Sequence, residues 1–295
     1  MSEVRQRWRV VFARDKEARY LSHLDAVRLW ERAFRRGGIP IAASGGFSPR
    51  PRLVFAAPLQ LGMLAEHELA DVFVVDRLTA SDLRDRLTAA LPSGYRLVDL
   101  YDVWVGAPAI APQLVAADYR LTLLNVEAAD IERAAARLLA AEALPRYRRR
   151  EARSTPYDLR PLLFDLRVGP ADPEAVLPGL APVPATGLWL RLRHSQHAGA
   201  GRVEEVVAAL ADELGLAADV IPIENEEVVA GDVPVASGAD LALTRPAPGA
   251  AGSQSRRVEA PARRSPAVRP VSARPTIELV RPVRERLWLA SESFV

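Results

Sequence analysis

The stretch "ARYLSHLD" sets Arg19, Tyr20, Ser22, His23 and Asp25 within seven residues. An imidazole and a carboxylate two residues apart are parts that can move a proton. A guanidinium and a hydroxyl beside them suit a phosphate. Ser22 with Asp25 three positions on is a near capping box, so the stretch opens a helix. The free N–H groups of a helix start favour an anion. His23 therefore reads as a phosphate contact or an acid–base group, against the plainer reading of an exposed first-turn histidine. Asp25 taken alone reads as a helix-start residue.

A second cluster follows in "IAASGGFSPRPRLVFAAPL". Gly45 and Gly46 let backbone approach a ligand closely. Phe47 can stack a base, and Pro49 and Pro51 stiffen the chain. Arg50 and Arg52 offer planar forks for phosphate. No GK[ST] follows, so this is neither a Walker loop nor a GxGxxG turn. A third cluster, "RYRRREAR" at 146–153, carries Arg148, Arg149 and Arg150 beside Tyr147. It reads equally as a nucleic-acid backbone track and as a charged edge strand that resists aggregation. His194 and His197 are too few ligands for a metal, and no metal or cofactor is expected.

The elements that must position these groups are legible from periodicity. "WRVVFAR" alternates as a strand. Leu24, Val27, Trp30 and Phe34 recur at helical spacing after Ser22, and Gly37-Gly38 ends that helix. "RLVFAAPLQL", "ELADVFVVD", the helix "TASDLRDRLTAAL" and the strand "YRLVDLYDVWV" complete a β-α-β-β-α-β order. The order recurs from "DYRLTLLN" through "AADIERAAARLLAAEAL", "DLRPLLFDLRV", "LWLRLRH" and "RVEEVVAALADELGL", with "VIPIENEEVVA" as its closing strand. The expected fold is α+β: tandem ferredoxin-like (βαββαβ) domains over 1–112 and 113–230, then a Pro/Ala/Arg-rich, largely disordered basic tail over 231–295. The end of that tail, "TIELVRPVRERLWLASESFV", regains apolar residues and reads as a short docking element.

Composition bounds the chemistry. Apolar residues make up 49% of the 295, enough for a core. The net charge is +2, but residues 251–295 carry nine Arg against four Glu, which is +5 and leaves −3 for the rest. A basic tail suits a polyanion. No run of 18 apolar residues and no signal-peptide pattern is present, so a cytoplasmic protein without a membrane partner is expected. The absence of cysteine excludes disulfides, a thiolate nucleophile and Cys-ligated clusters within this chain.

The long motif "LSHLDAVRLWERAFRRGGIPIAASGGFSPRPRLVFAAPLQLGMLAEHELADV" resembles the N-terminal signature of a bacterial radical-SAM-associated domain family of unknown function. Ser22, His23, Asp25, Gly46, Phe47, Pro49 and Pro51 match its motif positions. "YDLRPLLFDLRV", with Asp158, Arg160 and Pro161, is similar to its second segment. The resemblance implies a partner, because such domains occur alone or joined to the C-terminus of a radical SAM protein. A radical SAM enzyme needs three cysteines for its cluster, so this chain could only accompany one.

Three functional expectations result. The first is a non-catalytic accessory module for a radical SAM protein that binds tRNA or rRNA, with Arg19, His23, Arg50, Arg52 and the 146–153 run lining one groove. The second is an RNA-acting enzyme, with His23 as acid–base in an endonuclease-like site or Asp25 as nucleophile in a pseudouridine-synthase-like one. The third is a protein–protein scaffold without nucleic acid.

Overall fold

The computed structural model describes residues 3–44, 49–150, 153–175, 183–219 and 276–292, with backbone alone for 149, 150, 153 and 175. The described residues form a mixed α+β structure with one ten-stranded, mostly antiparallel sheet and four α-helices. Among them, no helix is long and apolar enough to cross a membrane.

The first half contains β1 (Gln6–Arg14), α1 (His23–Arg36), β2 (Leu53–Phe55), β3 (Leu64–Val74), α2 (Ala80–Ala90) and β4 (Tyr95–Val103). α1 starts where the capping chemistry predicts. Ser22 Oγ accepts the Asp25 N–H at 3.2 Å and donates to Asp25 Oδ2 at 2.8 Å. The helix buries Ala26, Trp30, Ala33 and Phe34, one face at i, i+4, i+7 and i+8. It stops at Gly37, and Gly38 turns the chain at φ 63°, where a side chain would be strained. Strand order runs β4-β1-β3-β2, each pair antiparallel. Trp8, Val10 and Phe12 alternate onto the α1–α2 side and form a core with Trp30, Phe34, Leu83 and Leu87.

The second half contains β5 (Leu114–Leu124), α3 (Ala128–Ala140), the hairpin β6 (Pro145–Arg150) and β7 (Arg153–Asp158), β8 (Leu163–Pro170) and β9 (Ala185–Ser195). Then come β10 (Gly199–Ala200), α4 (Val203–Leu214), β11 (Ala217–Asp219) and β12 (Thr276–Leu289). Its main strands run β12-β5-β9-β8 with antiparallel pairs, while β6 and β7 pair only with each other. β12 also pairs in parallel with β3 through Val283 and Arg284, which joins both halves into one sheet.

This strand is a correction. The sequence placed 276–289 in the largely disordered tail as a short docking element; the structure makes it a central strand. "VIPIENEEVVA" and 231–275 lie outside the described residues, and β12 takes the position expected for the former. Charge hid the strand: Glu278, Arg281, Arg284, Glu285 and Arg286 interrupt its apolar residues. Most of these charges are paired: Arg284 with Glu68, Glu285 with Arg120, Arg286 with Glu292 and Arg281 with Glu174. Pro282 is tolerated because the register shifts between Val280 and Val283, with Arg281 at φ 46°.

A row of polar side chains crosses the sheet beneath the helices. Tyr95 of β4 opposes Arg14 of β1, and Arg284 of β12 opposes Tyr119 of β5. Between them Glu68 of β3 binds Arg284 through both carboxylate oxygens, with each side chain 3% exposed. Arg14 donates to the carbonyls of Met63 at 2.7 Å and Gln60 at 2.6 Å, and Arg284 to that of Pro58 at 3.3 Å. Two guanidinium groups therefore hold the loop 57–63. Burial works against the charge on Arg284, but Glu68 outweighs it and its pKa lies above the usual value. Removing one partner of such a pair strands the other. Glu68→Ala is expected to lower unfolding free energy in urea by about 3–5 kcal/mol, and Glu68→Leu with Arg284→Met by less. A loss under about 1 kcal/mol for the single variant contradicts this role.

Candidate nucleic-acid interface

The start of α1 brings His23 over a narrow cleft. Its half-buried ring meets Phe55 edge-on at 5.7 Å, and Arg14, Ala57, Glu68 and Tyr95 line the walls. The cleft measures ≈ 20 Å³, about the room one water needs. Burial, and then Arg14, push the His23 pKa below its usual value, so the ring is neutral at pH 7. Both Glu68 oxygens face Arg284. Asp25 is engaged by Ser22 and by Arg28 at 3.5 Å, which is a helix-start role. Arg19 stacks on exposed Tyr20 at 4.6 Å. These residues thus give a capped helix and a neutral imidazole, with no room for a substrate beside it.

Arg50 and Arg52 belong to a different face. α1 carries the chain away, and β2 brings it back beside β3. Its alternation turns Leu53 and Phe55 into the α1–α2 core and Val54 to the opposite face. Arg52 shares that opposite face, with its guanidinium 4.0 Å over Phe73. Ser44 clasps Arg50 by two bonds, its N–H to the Arg50 carbonyl at 2.7 Å and its Oγ from the Arg50 N–H at 3.0 Å. Gly45, Gly46 and Phe47 lie outside the described residues.

Arg52, Val54, Phe73, Val105, Ala109 and Ile110 line a pocket of ≈ 200 Å³. Arg7 and Asp71 also line it, with Arg7 Nε 3.0 Å from Oδ2, and Arg9, which does not line the pocket, binds the same carboxylate with Nε 2.8 Å from Oδ1. Trp104, the chain neighbour of the lining residue Val105, is 78% exposed. Its indole lies over Gly106, where a Cβ would sit 2.7 Å from the ring, so only glycine permits that placement. Sequence reading missed Arg7, Arg9, Asp71, Phe73 and Trp104. Charges at alternate positions of apolar strands, in "RWRVVF" and "ELADVF", were the available signal.

Two arginines of the third cluster, Arg146 and Arg148, are engaged elsewhere. Arg148 binds Glu205 at 2.8 and 3.0 Å and the Ala200 carbonyl at 2.9 Å, stacked over Tyr157. Arg146 meets Asp212 at 2.6 Å. Arg160 donates to the Leu163 and Leu139 carbonyls, while Asp158 Oδ1 accepts from the N–H groups of Leu144 and Arg160. Arg148 and Arg160 are thus structural clips rather than free cations, and "DLRPL" is a turn fastening. The side chains of Arg149 and Arg150 lie outside the described residues. β12, β5 and β9 separate β3 from β10, about 19 Å at ~4.8 Å per strand. The basic runs therefore do not line one groove.

A larger cleft of ≈ 330 Å³ at the seam of the halves is lined by ion-paired side chains. Arg120 meets Glu66, Glu285 and Asp172 at 2.8, 2.8 and 3.3 Å. Among the described residues, no group of three His, Asp or Glu is arranged to hold a metal.

His194 has a different consequence. Burial, with Arg284 adding, pushes its pKa down to about 4 from 6.5. The unfolded chain then takes up a proton that the folded chain refuses. Stability from this residue is complete above pH 6.5 and is lost as pH falls from 6.5 to about 4, on the order of 3 kcal/mol in all. Urea unfolding at about pH 7 and about pH 4.5 is expected to show a smaller acid loss for His194→Asn than for the parent. Equal losses contradict this.

No curated protein matches the chain. Among solved structures it is similar to a crystal structure of an unknown protein from Galdieria sulphuraria, at 15% identity over 71% of this chain and 94% of that one, with a TM-score of 0.22. A family described as "uncharacterized protein conserved in bacteria" matches residues 7–191, which contain α1, the Arg7–Asp71–Arg9 group and the "DLRPL" turn. The chain belongs to that family, DUF2344.

Proposed function

We propose that this chain is a non-catalytic module that binds single-stranded RNA, tRNA or rRNA in class, and serves a radical SAM protein encoded as a separate chain. Two ferredoxin-like units sharing one sheet would form the scaffold; the strand orders β4-β1-β3-β2 and β12-β5-β9-β8 support that reading. The carrying observation is Arg52 stacked on Phe73 in a pocket lined by Val105, whose chain neighbour Trp104 is exposed. Among the described residues neither Arg50 nor Arg52 meets a carboxylate, unlike Arg146 and Arg148. Free guanidinium groups interleaved with exposed aromatics suit a strand that offers phosphates and unstacked bases. A catalytic reading at His23 lacks space for a substrate.

Filter binding of unstructured RNA across a salt series tests this. Each phosphate contact contributes a log–log slope of about −0.7, so Arg50→Ala with Arg52→Ala is expected to flatten the slope by about 1.4. Trp104→Ala is expected to weaken binding about tenfold. Parent-like binding by both variants, or no binding by the parent at about 50 mM salt, overturns the proposal.

A further inference from the structure

The pocket beneath Arg52 has an unbalanced charge. Asp71 is the one carboxylate among its lining residues, and two arginines share it. Arg7 is 2% exposed and Arg9 6% exposed, so neither charge is relieved by bulk water. Arg7 further donates to the carbonyls of Ala107 and Pro108 at 2.5 and 2.8 Å, which fixes the loop that walls the pocket. Two guanidinium groups against one carboxylate leave one buried positive charge. Arg52 at the mouth adds a second, with a flat face on Phe73 and its donors unassigned among the described residues. A buried cation without a counter-ion is costly, and an anion entering the pocket relieves that cost.

With Arg9 counted through its pair with Asp71, the excess over the lining residues and Arg9 is two positive charges, which matches a dianion. A phosphomonoester carries about −1.5 to −2 at pH 7, whereas an internal phosphodiester carries one charge. The size agrees, since ≈ 200 Å³ is below the roughly 300–1,000 Å³ of pockets for drug-sized ligands and suits one phosphate with its sugar. Val54, Val105, Ala109 and Ile110 supply an apolar wall for that sugar or a base edge. Arg52 can turn its fork to two phosphate oxygens while its flat face stays on the ring.

We infer that this pocket is a phosphomonoester site, which takes the terminal phosphate of an RNA strand and leaves the following base to Trp104. The RNA end as the source rests on the RNA-binding proposal; the charge match does not. The site would then distinguish strand ends from strand interiors, and a processed or cleaved RNA from an intact one.

Three probes on the full chain test it: a short unstructured RNA with a 5′-phosphate, the same RNA with a 5′-hydroxyl, and inorganic phosphate alone. The parent is expected to prefer the phosphorylated RNA by about tenfold or more. Inorganic phosphate is expected to raise the melting temperature of the parent and to compete with the phosphorylated RNA. Arg52→Gln should abolish the preference and the shift. Val54→Glu, on an exposed position, should do so by repulsion without touching the buried arginines. Phosphate binding without a preference between the RNAs would retain the site and assign it to a small phosphate ester, ending the RNA-end source alone. RNA binding with no preference and no phosphate shift overturns this inference and leaves the RNA module standing. A phosphate shift without any RNA binding supports the site and overturns the module. A phosphate shift that persists unchanged in both variants overturns the site.

Discussion

Glu68 and Arg284 come from strands more than two hundred residues apart and meet in a nearly dry interior. A carboxylate and a guanidinium in that setting must each find the other. Their pairing holds β12 against β3 at the point where the two halves become one sheet. Arg284 also reaches the carbonyls of the loop 57–63, and Arg14 reaches the same loop from β1. That loop closes over Phe55 and the His23 cleft. The position of β2 beside β3, and so the face on which Arg52 emerges, depends on this fastening.

The sheet then divides its arginines by face and by partner. On the helix side, Arg14 and Arg284 are enclosed and bonded to carbonyls and Glu68. At the seam, Arg120 sits among three carboxylates. On the hairpin side, Arg146 and Arg148 meet Asp212 and Glu205 of α4. Among the described residues, the back of β2 and β3 is where two buried arginines share one aspartate and Arg52 lies over an aromatic ring. A positive potential focused between apolar walls is stronger than the same charge on an open surface. Ligand binding in the proposed function therefore depends on the cations left over after folding, not on the density of arginine in the chain.

Much of the first half was legible because its cues are local. Ser22 with Asp25 marked the helix start, Gly37-Gly38 its end, and the Trp30–Phe34 spacing its buried face. β12 was not legible as a central strand, since Arg284, Glu285 and Arg281 are neutralised by Glu68, Arg120 and Glu174, which lie far away in sequence. The separation of His23 from Arg52 was half legible. α1 alone sets them apart, but which face each occupies depends on the register of β2 on β3. Arg148 and Arg160 misled for the same reason: α4 and the turn at 158–163 claim them, and neither is adjacent to the Arg-rich run. Residues whose roles depend on strand pairing, such as Arg7, Asp71 and Phe73, had only a pattern of charge on apolar strands to mark them.

The central claim is that ligand RNA lies on the back of β2 and β3 rather than along the β6–β7 hairpin. Ultraviolet crosslinking of bound RNA, read by peptide mass spectrometry, distinguishes these faces, because each has an exposed aromatic in its chain: Trp104 next to the pocket-lining Val105, and Tyr147 in β6. Crosslinks at Trp104 and Phe73 are predicted. Crosslinks confined to Tyr147 and its neighbours would contradict the account.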